Sequence, residues 1–342
     1  MEDKPVLAGL APYDLKTILS SYPPFRSIQV HEGICSGAKK FDELSSLPLS
    51  LRRELDEKYS LLAGKVSSEQ QSADGTVKLG ITLDDGVIIE CVLLLDGKER
   101  KTACLSTQAG CGVGCIFCKT GSMALYRDLN YKEIISQYLY LYKKGQKPSH
   151  IVVMGMGEPL LNLIELRKAL VYFTDKSTLN ISKRRITLST CGIVEGIESI
   201  AKDGPDIRLA FSLVSARQDL RDRLIPVSNK NPLPLIKKAL KNYQQKHKHR
   251  ITLEMVLLKN INTGLEDIKA AAEFAGGLDT VFNIIPWNEA EGLYYDGEKL
   301  ETPSQKEVNE YKKQLSKLGF NVTERYKKGS EVKGACGQLA AN

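Results

Sequence analysis

Three cysteines within eight residues, Cys111-Gly-Val-Gly-Cys115-Ile-Phe-Cys118, constrain this chain more than any other stretch. Their C-x3-C-x2-C spacing has no fourth cysteine close enough to complete a set. Three thiolates on one tight loop suit three irons of a [4Fe–4S] cube and leave the fourth iron open. Gly112 and Gly114 let the loop wrap closely, because glycine accepts positive φ without steric cost. A structural zinc site would instead use four ligands, often as two C-x2-C pairs, and no second pair follows.

The start of the sequence, Met-Glu-Asp-Lys-Pro, lacks the basic-then-apolar pattern of a signal peptide, and no apolar run reaches membrane-spanning length. Eight cysteines in such a chain point to metal or redox chemistry in a reducing compartment rather than to disulfides, so a cytoplasmic protein without membrane association is expected. Net charge is +7, from 48 Lys and Arg against 41 Asp and Glu. Basic clusters lie at Lys98-Glu-Arg-Lys101, Lys183-Arg-Arg185, Lys241 to Arg250 and Lys327-Lys328. They are compatible with a polyanionic partner such as RNA, and equally with solvated helix ends and turns.

Residues 1 to 65 read as a small helical accessory domain, expected to bind RNA. Helical intervals from Pro12 are broken at Tyr22-Pro-Pro-Phe-Arg, and short helices join at Pro48. The period then changes: 66–100 reads as a β-hairpin extension turning at Asp85-Gly86. From there strands alternate with amphipathic helices. Strands are expected at 103–107, 150–154, 185–189, 207–213, 251–257 and 280–285. Helices are expected near 131–144, 163–174, 193–202, 232–246 and 265–275. Six such repeats predict an α/β fold with a parallel sheet, an open (βα)6 partial TIM barrel over 101–328. A helix near 304–317 and a strand at 320–325 lead to a glycine-rich tail, 329–342.

In such barrels chemistry collects at the C-terminal ends of the strands. The cysteine loop follows the first strand, Gly155-Met-Gly157-Glu158-Pro the second, Thr190-Cys-Gly the third, Val214-Ser the fourth and Pro286-Trp-Asn288 the sixth. Their convergence on one face outweighs any single motif. The cysteine spacing is the signature of radical S-adenosylmethionine enzymes. On that reading Glu158 and the Gly157 backbone would hold the ammonium of a methionine moiety, against the plain alternative of a βα turn with a solvent-facing Glu. Ser189 and Asn288 are candidate hydrogen-bond partners for a bound ligand, or simply satisfied turn residues. Cys104 falls inside an apolar strand. Cys336, between small residues on a flexible tail, reads either as an exposed nucleophile or as a surface thiol. Cys35, Cys91 and Cys191 read as small buried hydrophobes. Glu90 interrupts an apolar run and is either a solvated-face carboxylate or a proton acceptor.

Over nearly its whole length the sequence resembles the RlmN/Cfr family of radical S-adenosylmethionine RNA methyltransferases. The resemblance rests on Tyr22-Pro-Pro-Phe-Arg, Leu47-Pro-Leu-Ser-Leu-Arg, Cys104-Leu-Ser-Thr-Gln-Ala-Gly-Cys111, the cysteine loop, Met154-Gly-Met-Gly-Glu-Pro-Leu, Leu188-Ser-Thr, Ile285-Pro-Trp-Asn288 and Ala335-Cys-Gly-Gln-Leu. The pairing of Cys104 with Cys336 is its most specific part, because other radical enzymes share only the loop.

The resemblance implies a division of roles. Cys111, Cys115 and Cys118 would ligate a [4Fe–4S] cluster. Gly157, Glu158, Ser189, Ser212, Leu213, Val214 and Asn288 would line the S-adenosylmethionine site. Two S-adenosylmethionine molecules would be used per turnover: one methylates Cys336, and the other yields a radical that removes hydrogen from that methyl. The carbon would add to an adenine ring carbon, Cys104 would release the adduct by forming a disulfide with Cys336, and Glu90 would accept a proton. Adenine C2 in 23S ribosomal RNA is the expected target, with transfer RNA as a further substrate for several relatives. Flavodoxin or ferredoxin would donate electrons to a monomeric enzyme. C8 methylation in the same RNA, and a non-catalytic Fe–S or zinc RNA-binding protein, are the alternatives. One departure is notable: relatives read Ser-Leu-His-Ala where this chain has Ser212-Leu213-Val214-Ser215. A second lies in the tail, with Glu331, Val332 and Gly334 where relatives favour Asp, Ile and Ala.

Overall fold

A computed structural model of the chain describes residues 4–96, 100–142, 147–325 and 328–340. Lys98, Glu99 and Lys327 of the basic clusters, and residues 341–342 of the tail, lie outside them. One ten-stranded sheet organises the described residues. Its barrel strands are Arg100–Cys104, His150–Val153, Ile186–Thr190, Arg208–Ser212, Ile251–Leu257 and Thr280–Pro286, each parallel to the next. A seventh parallel strand, Val322–Glu324, extends the sheet beyond the sixth. Mostly apolar strands covered by helices are what parallel sheets require, since both faces are buried. The α/β partial barrel expected from the alternating periods is the fold observed, and the helices Tyr131–Leu141, Leu163–Thr174, Val194–Asp203, Leu233–His247, Leu265–Ala275 and Gln305–Lys317 follow the expected spans closely.

The first barrel strand begins three residues earlier than its apolar run suggests. Arg100, Lys101 and Thr102 carry polar side chains but still pair antiparallel with Asp96, Leu95 and Leu94. The hairpin turning at Asp85-Gly86 is present, as Val77–Thr82 against Ile88–Asp96, and Gly86 takes φ +83°. It is not a free-standing extension. With a further strand, Lys65–Gln71, it forms the antiparallel edge of the barrel sheet. Alternation alone missed that strand, because its side chains are exposed along its whole length.

The segments that flank the N-terminal helices Pro12–Ile18, Phe25–Cys35 and Leu49–Lys58 contact the first barrel helix. A Cβ on Gly9 would meet the Tyr131 ring at 3.0 Å, and Lys132 Nζ donates to Val6 O at 2.7 Å. Ser136 Oγ accepts from the Ala63 amide at 2.8 Å. Among the described residues no helix is long and apolar enough to cross a membrane.

Candidate active site

The strand ends place the cysteine loop over a cavity of about 160 Å³. Cys111, Cys115 and Cys118 line it together with Gly157, Glu158, Ser189, Ser212, Asn288 and Cys336. The loop is held from three sides. Trp287 Nε1 donates to Phe117 O at 2.8 Å, the Ile116 amide donates to Leu224 O at 3.1 Å, and the Lys119 amide donates to Gly337 O at 2.7 Å. A Cβ on Gly121 would meet Cys115 O at 2.6 Å, so only glycine lets the chain double back there.

Burial pushes all three thiols up, Cys111 to about 11, and each one's ionisation would repel another's. Such a trio ionises only beside a multivalent cation, which is the chemistry an iron–sulfur cluster brings. Among the described residues no three His, Cys, Asp or Glu side chains converge as a single ion requires. Thiolates that each bind a different iron of a cube do not need to converge on one point.

Glu158 is buried, and both its oxygens accept backbone N–H bonds: Oε1 from Leu160 at 3.0 Å, Oε2 from Cys191 at 2.8 Å. It therefore staples the exit of the second strand to that of the third while still lining the cavity. Burial raises its carboxyl pKa, and those hydrogen bonds oppose the shift. Each oxygen keeps a second lone pair for a ligand's ammonium. Gly157 has φ +98°, and a Cβ there would lie 2.9 Å from the Gln108 backbone nitrogen. Its backbone approaches the cavity only because it has no side chain.

Ser189 Oγ donates to Glu254 Oε2 at 2.9 Å and lies 3.4 Å from Ser212 Oγ, so the third, fourth and fifth strand ends meet through three side chains. Asn288 Nδ2 donates to Cys336 O at 3.0 Å, which leaves the buried Oδ1 without a partner. An orphaned acceptor at a cavity wall fits a ligand that brings a donor. Leu213 and Val214 do not line the cavity; both are fully buried behind Ser212. Val214, where relatives carry histidine, adopts φ +55°, a strained conformation for a β-branched residue. Its carbonyl accepts from Asn262 Nδ2 at 2.9 Å, so the position turns the chain rather than presenting a side chain to the ligand.

Cys104 ends the first strand, buried, and shares a second cavity with Cys336, Met154, Asn288 and Arg325. The tail expected to be flexible is folded. Gly329 N donates to Asp74 Oδ2 at 3.0 Å, Ala73 N to Glu331 Oε2 at 3.1 Å, Thr120 Oγ1 to Leu339 O at 2.6 Å, and Gln338 Nε2 to Glu289 O at 2.8 Å. Its described residues thus bond the hairpin edge, the cysteine loop and the sixth strand end. Cys336 is therefore half-buried in the site rather than displayed on a surface.

Glu90 touches neither cavity. Its Oε1 pairs with Lys78 Nζ at 2.8 Å and its Oε2 accepts from the Ala340 amide at 2.8 Å, all three groups buried or half-buried. Of the other thiols, Cys91 and Cys191 are buried as expected. Cys35 is only half-buried, with its sulfur 3.6 Å from Tyr172 Oη.

Three charged residues escaped the sequence reading. Arg221 is fully buried and donates to Ser212 O at 2.9 Å, to Cys191 O at 2.5 Å and to Leu213 O, binding the third and fourth strand ends together. Burial lowers its pKa to about 10. Glu254 and Arg325 line the main cavity and face each other at 3.7 Å. No local motif marks any of them; Arg221, inside helix Gln218–Leu224, could have been noticed only as a charge between Leu220 and Leu224.

The basic clusters lie mostly at the other end of the barrel. His247 and His249 pair with Asp206 at 3.2 and 2.7 Å, and Arg250 pairs with Asp279 at 3.2 Å. Lys328 bonds Leu95 O and Asp96. Arg100, Arg185 and Arg208 are exposed at the starts of strands, and burial followed by these three cations lowers the pKa of His150. Cations at the C-terminal turn of a helix such as Leu233–His247 are favoured by its dipole. That accounts for the run near 241–250 without a nucleic acid.

Residues 105–275 match the model of the radical SAM superfamily. This places the molecule among the enzymes that bind S-adenosylmethionine at an open-iron cluster, in agreement with the cavity. A protein of Treponema denticola named probable dual-specificity RNA methyltransferase RlmN is 41% identical over 99% of this chain and 96% of its own length. A Thermus thermophilus protein of the same name is 38% identical over 96% and 94%. The crystal structure of a radical SAM methyltransferase from Sphaerobacter thermophilus superposes with TM-score 0.92 at 31% identity, covering 99% of this chain and 100% of that one. The chain belongs to the RlmN family.

Proposed function

We propose that this protein methylates adenine C2 in RNA, in 23S ribosomal RNA and also in transfer RNA, with Cys336 as methyl carrier and Cys104 as resolving thiol. The observation that carries the reading is that Cys336 lines both the cavity of the three cysteines and the adjoining one that holds Cys104. Cys111, Cys115 and Cys118 would hold the cluster; Glu158, Gly157, Ser189, Ser212 and Asn288 would seat S-adenosylmethionine. When bound, these groups supply a methyl group and a hydrogen-abstracting radical, one S-adenosylmethionine for each. An aromatic adenine carbon is electrophilic and does not accept an ordinary polar methyl transfer, so cofactor radical chemistry is required.

Cys336 receives the methyl. Once that carbon has joined the base, the adduct radical loses the ring proton and one electron, which would return to the cluster. A closed-shell thioether to Cys336 remains. Attack of the Cys104 sulfur on the Cys336 sulfur forms the S–S bond and breaks the S–C bond. The electron pair leaves with carbon, and carbon takes up the proton that the Cys104 thiol gives up. Glu90, paired with Lys78 and tied to the tail at Ala340, is the acceptor for the adenine ring proton, and exchanges one of these partners to reach it. The target base must leave its stack to enter the cavity. Tyr126 and Tyr294, 65% and 58% exposed on loops leaving the first and sixth strands, offer faces on which neighbouring bases can stack. The reading includes a small electron donor such as flavodoxin or ferredoxin, and a monomer in the cytoplasm.

Mass spectrometry of RNA nucleosides from cells with and without the gene tests the proposal. Loss of 2-methyladenosine in the deletion is expected. Loss of 8-methyladenosine instead would move the target carbon, and no change in either would remove the function.

A further inference from the structure

The two cavities share one charged side chain, which the cysteine-pair reading does not use. Arg325 lines both of them. It follows the seventh parallel strand, and its own amide donates to Ile284 O at 2.9 Å, which fixes where the side chain begins. Its guanidinium reaches across the barrel, with Nη1 3.3 Å from Met154 Sδ at the second strand end and 3.7 Å from Glu254 Oε1 on the fifth strand. Glu254 is buried and is held in turn by the Ser189 hydroxyl at 2.9 Å. The cation is thus anchored on one side by a carboxylate that packing holds in place, and its other side faces the cavity of Cys104 and Cys336.

We propose that Arg325, oriented by Glu254, is a positioning residue for sulfur–sulfur attack, stabilising the negative charge that spreads over Cys104, Cys336 and the departing carbon. The inference rests on the reading of Cys104 and Cys336 as a working pair. Burial, followed by the neighbouring Cys336, pushes the Cys104 thiol up to about 12, whereas Arg325 pulls the other way. A thiol that reluctant to ionise attacks slowly unless a cation accompanies it. From the other side, a Cys336 thiolate raises the Arg325 pKa, so the interaction is favourable to both partners. A preorganised donor aimed at developing charge in a dry site is worth about 10²–10³-fold in rate.

The test uses the full chain with its cluster reconstituted, and ribosomal RNA from cells lacking the gene. Arg325→Met should keep its iron content, slow turnover by about 10²-fold, and accumulate a protein–RNA adduct on a denaturing gel, as Cys104→Ala should. Arg325→Lys, which keeps the charge, should recover most of the rate. Arg325→Met turning over within about twofold of the parent sequence, or stalling without adduct while Cys104→Ala accumulates it, would overturn the inference. If Cys104→Ala itself yields no adduct, the pair reading fails, and a second measurement still judges Arg325. Diamide oxidises two thiols to a disulfide and is itself reduced to the hydrazine. Without RNA, it should close Cys104–Cys336 at least about tenfold more slowly in Arg325→Met than in the parent or Arg325→Lys. Equal rates would sink the role.

Discussion

The cysteine loop and the C-terminal tail meet at one site but are specified in opposite ways. The loop is local in sequence: its three cysteines fall within eight residues and Gly114 takes φ +76°, while Trp287, Leu224 and Gly337 hold it from outside. The tail has one reactive residue, Cys336, and almost everything that places it comes from afar. Asp74 and Glu90 belong to the hairpin edge, Thr120 to the loop, and Asn288 and Glu289 to the sixth strand end. A contiguous motif can be read from sequence alone. A segment positioned by three distant elements acquires its meaning only once the sheet order is known.

The largest effects separate the two regions by what survives. Cys115→Ala should lose both iron and all methylated product, measured by iron content and nucleoside mass spectrometry. Cys336→Ala should lose product to the same background yet retain full iron. Iron loss in that variant would mean the tail helps hold the cluster, and the contrast would break.

Gly157→Ala tests the loop side without touching a thiol. A Cβ 2.9 Å from the Gln108 backbone, at φ +98°, cannot be relieved by a side-chain shift. It should cost ~1–3 kcal/mol of local strain and weaken S-adenosylmethionine binding by about tenfold or more in equilibrium dialysis. Unaltered binding would show that the second strand end does not contact the ligand.

Asp74→Asn tests the tail side. Burial raises the Asp74 carboxyl, but hydrogen bonds from Ser72, Thr76 and Gly329 outweigh it and hold the pKa well below the ordinary 3.8. A depressed carboxylate contributes stability that is present above 3.8 and lost as pH falls through the lower folded value. The Gly329 amide should therefore exchange hydrogen about tenfold faster in Asp74→Asn at neutral pH. In the parent the same loosening should appear only on acidification below about 3.8. Equal exchange in both would mean that other contacts anchor the tail.

The smallest effect is expected at the far end of the barrel. Arg185→Glu reverses an exposed charge without an ion-pair partner among the described residues, and should change turnover by less than about twofold. A large loss would bring that end of the barrel into RNA binding, which the geometry of the site does not require.

Strand and helix periods, and the turns at Asp85-Gly86 and after each barrel strand, were legible because each depends on neighbours within a few residues. The exposed strand Lys65–Gln71 was not, because pairing rather than burial makes it a strand. Glu254 and Arg325 carry no signature of their own. Parallel register aligns Glu254 with Ser212 and Ile284 with Glu324, and only that alignment turns two scattered charges into one pair. The tail's glycines suggested mobility, but a Cβ on Gly329 would meet Thr76 at 2.6 Å and Gly337 takes φ +83°. There glycine permits close packing. For Val214 the departure from histidine was visible in sequence. That the position is a left-handed turn behind the cavity was not.

The docking of the tail against the hairpin edge also sets an order in time. At ~5–20 residues per second, residue 336 leaves the ribosome roughly 10–40 s after residue 118. During that interval the nascent chain holds all three loop cysteines but not the tail that bonds the hairpin edge, the loop and the sixth strand end. The last piece to emerge brings Cys336 to the cavity that the three loop cysteines line, so a chain interrupted before it keeps the loop and lacks the thiol beside it.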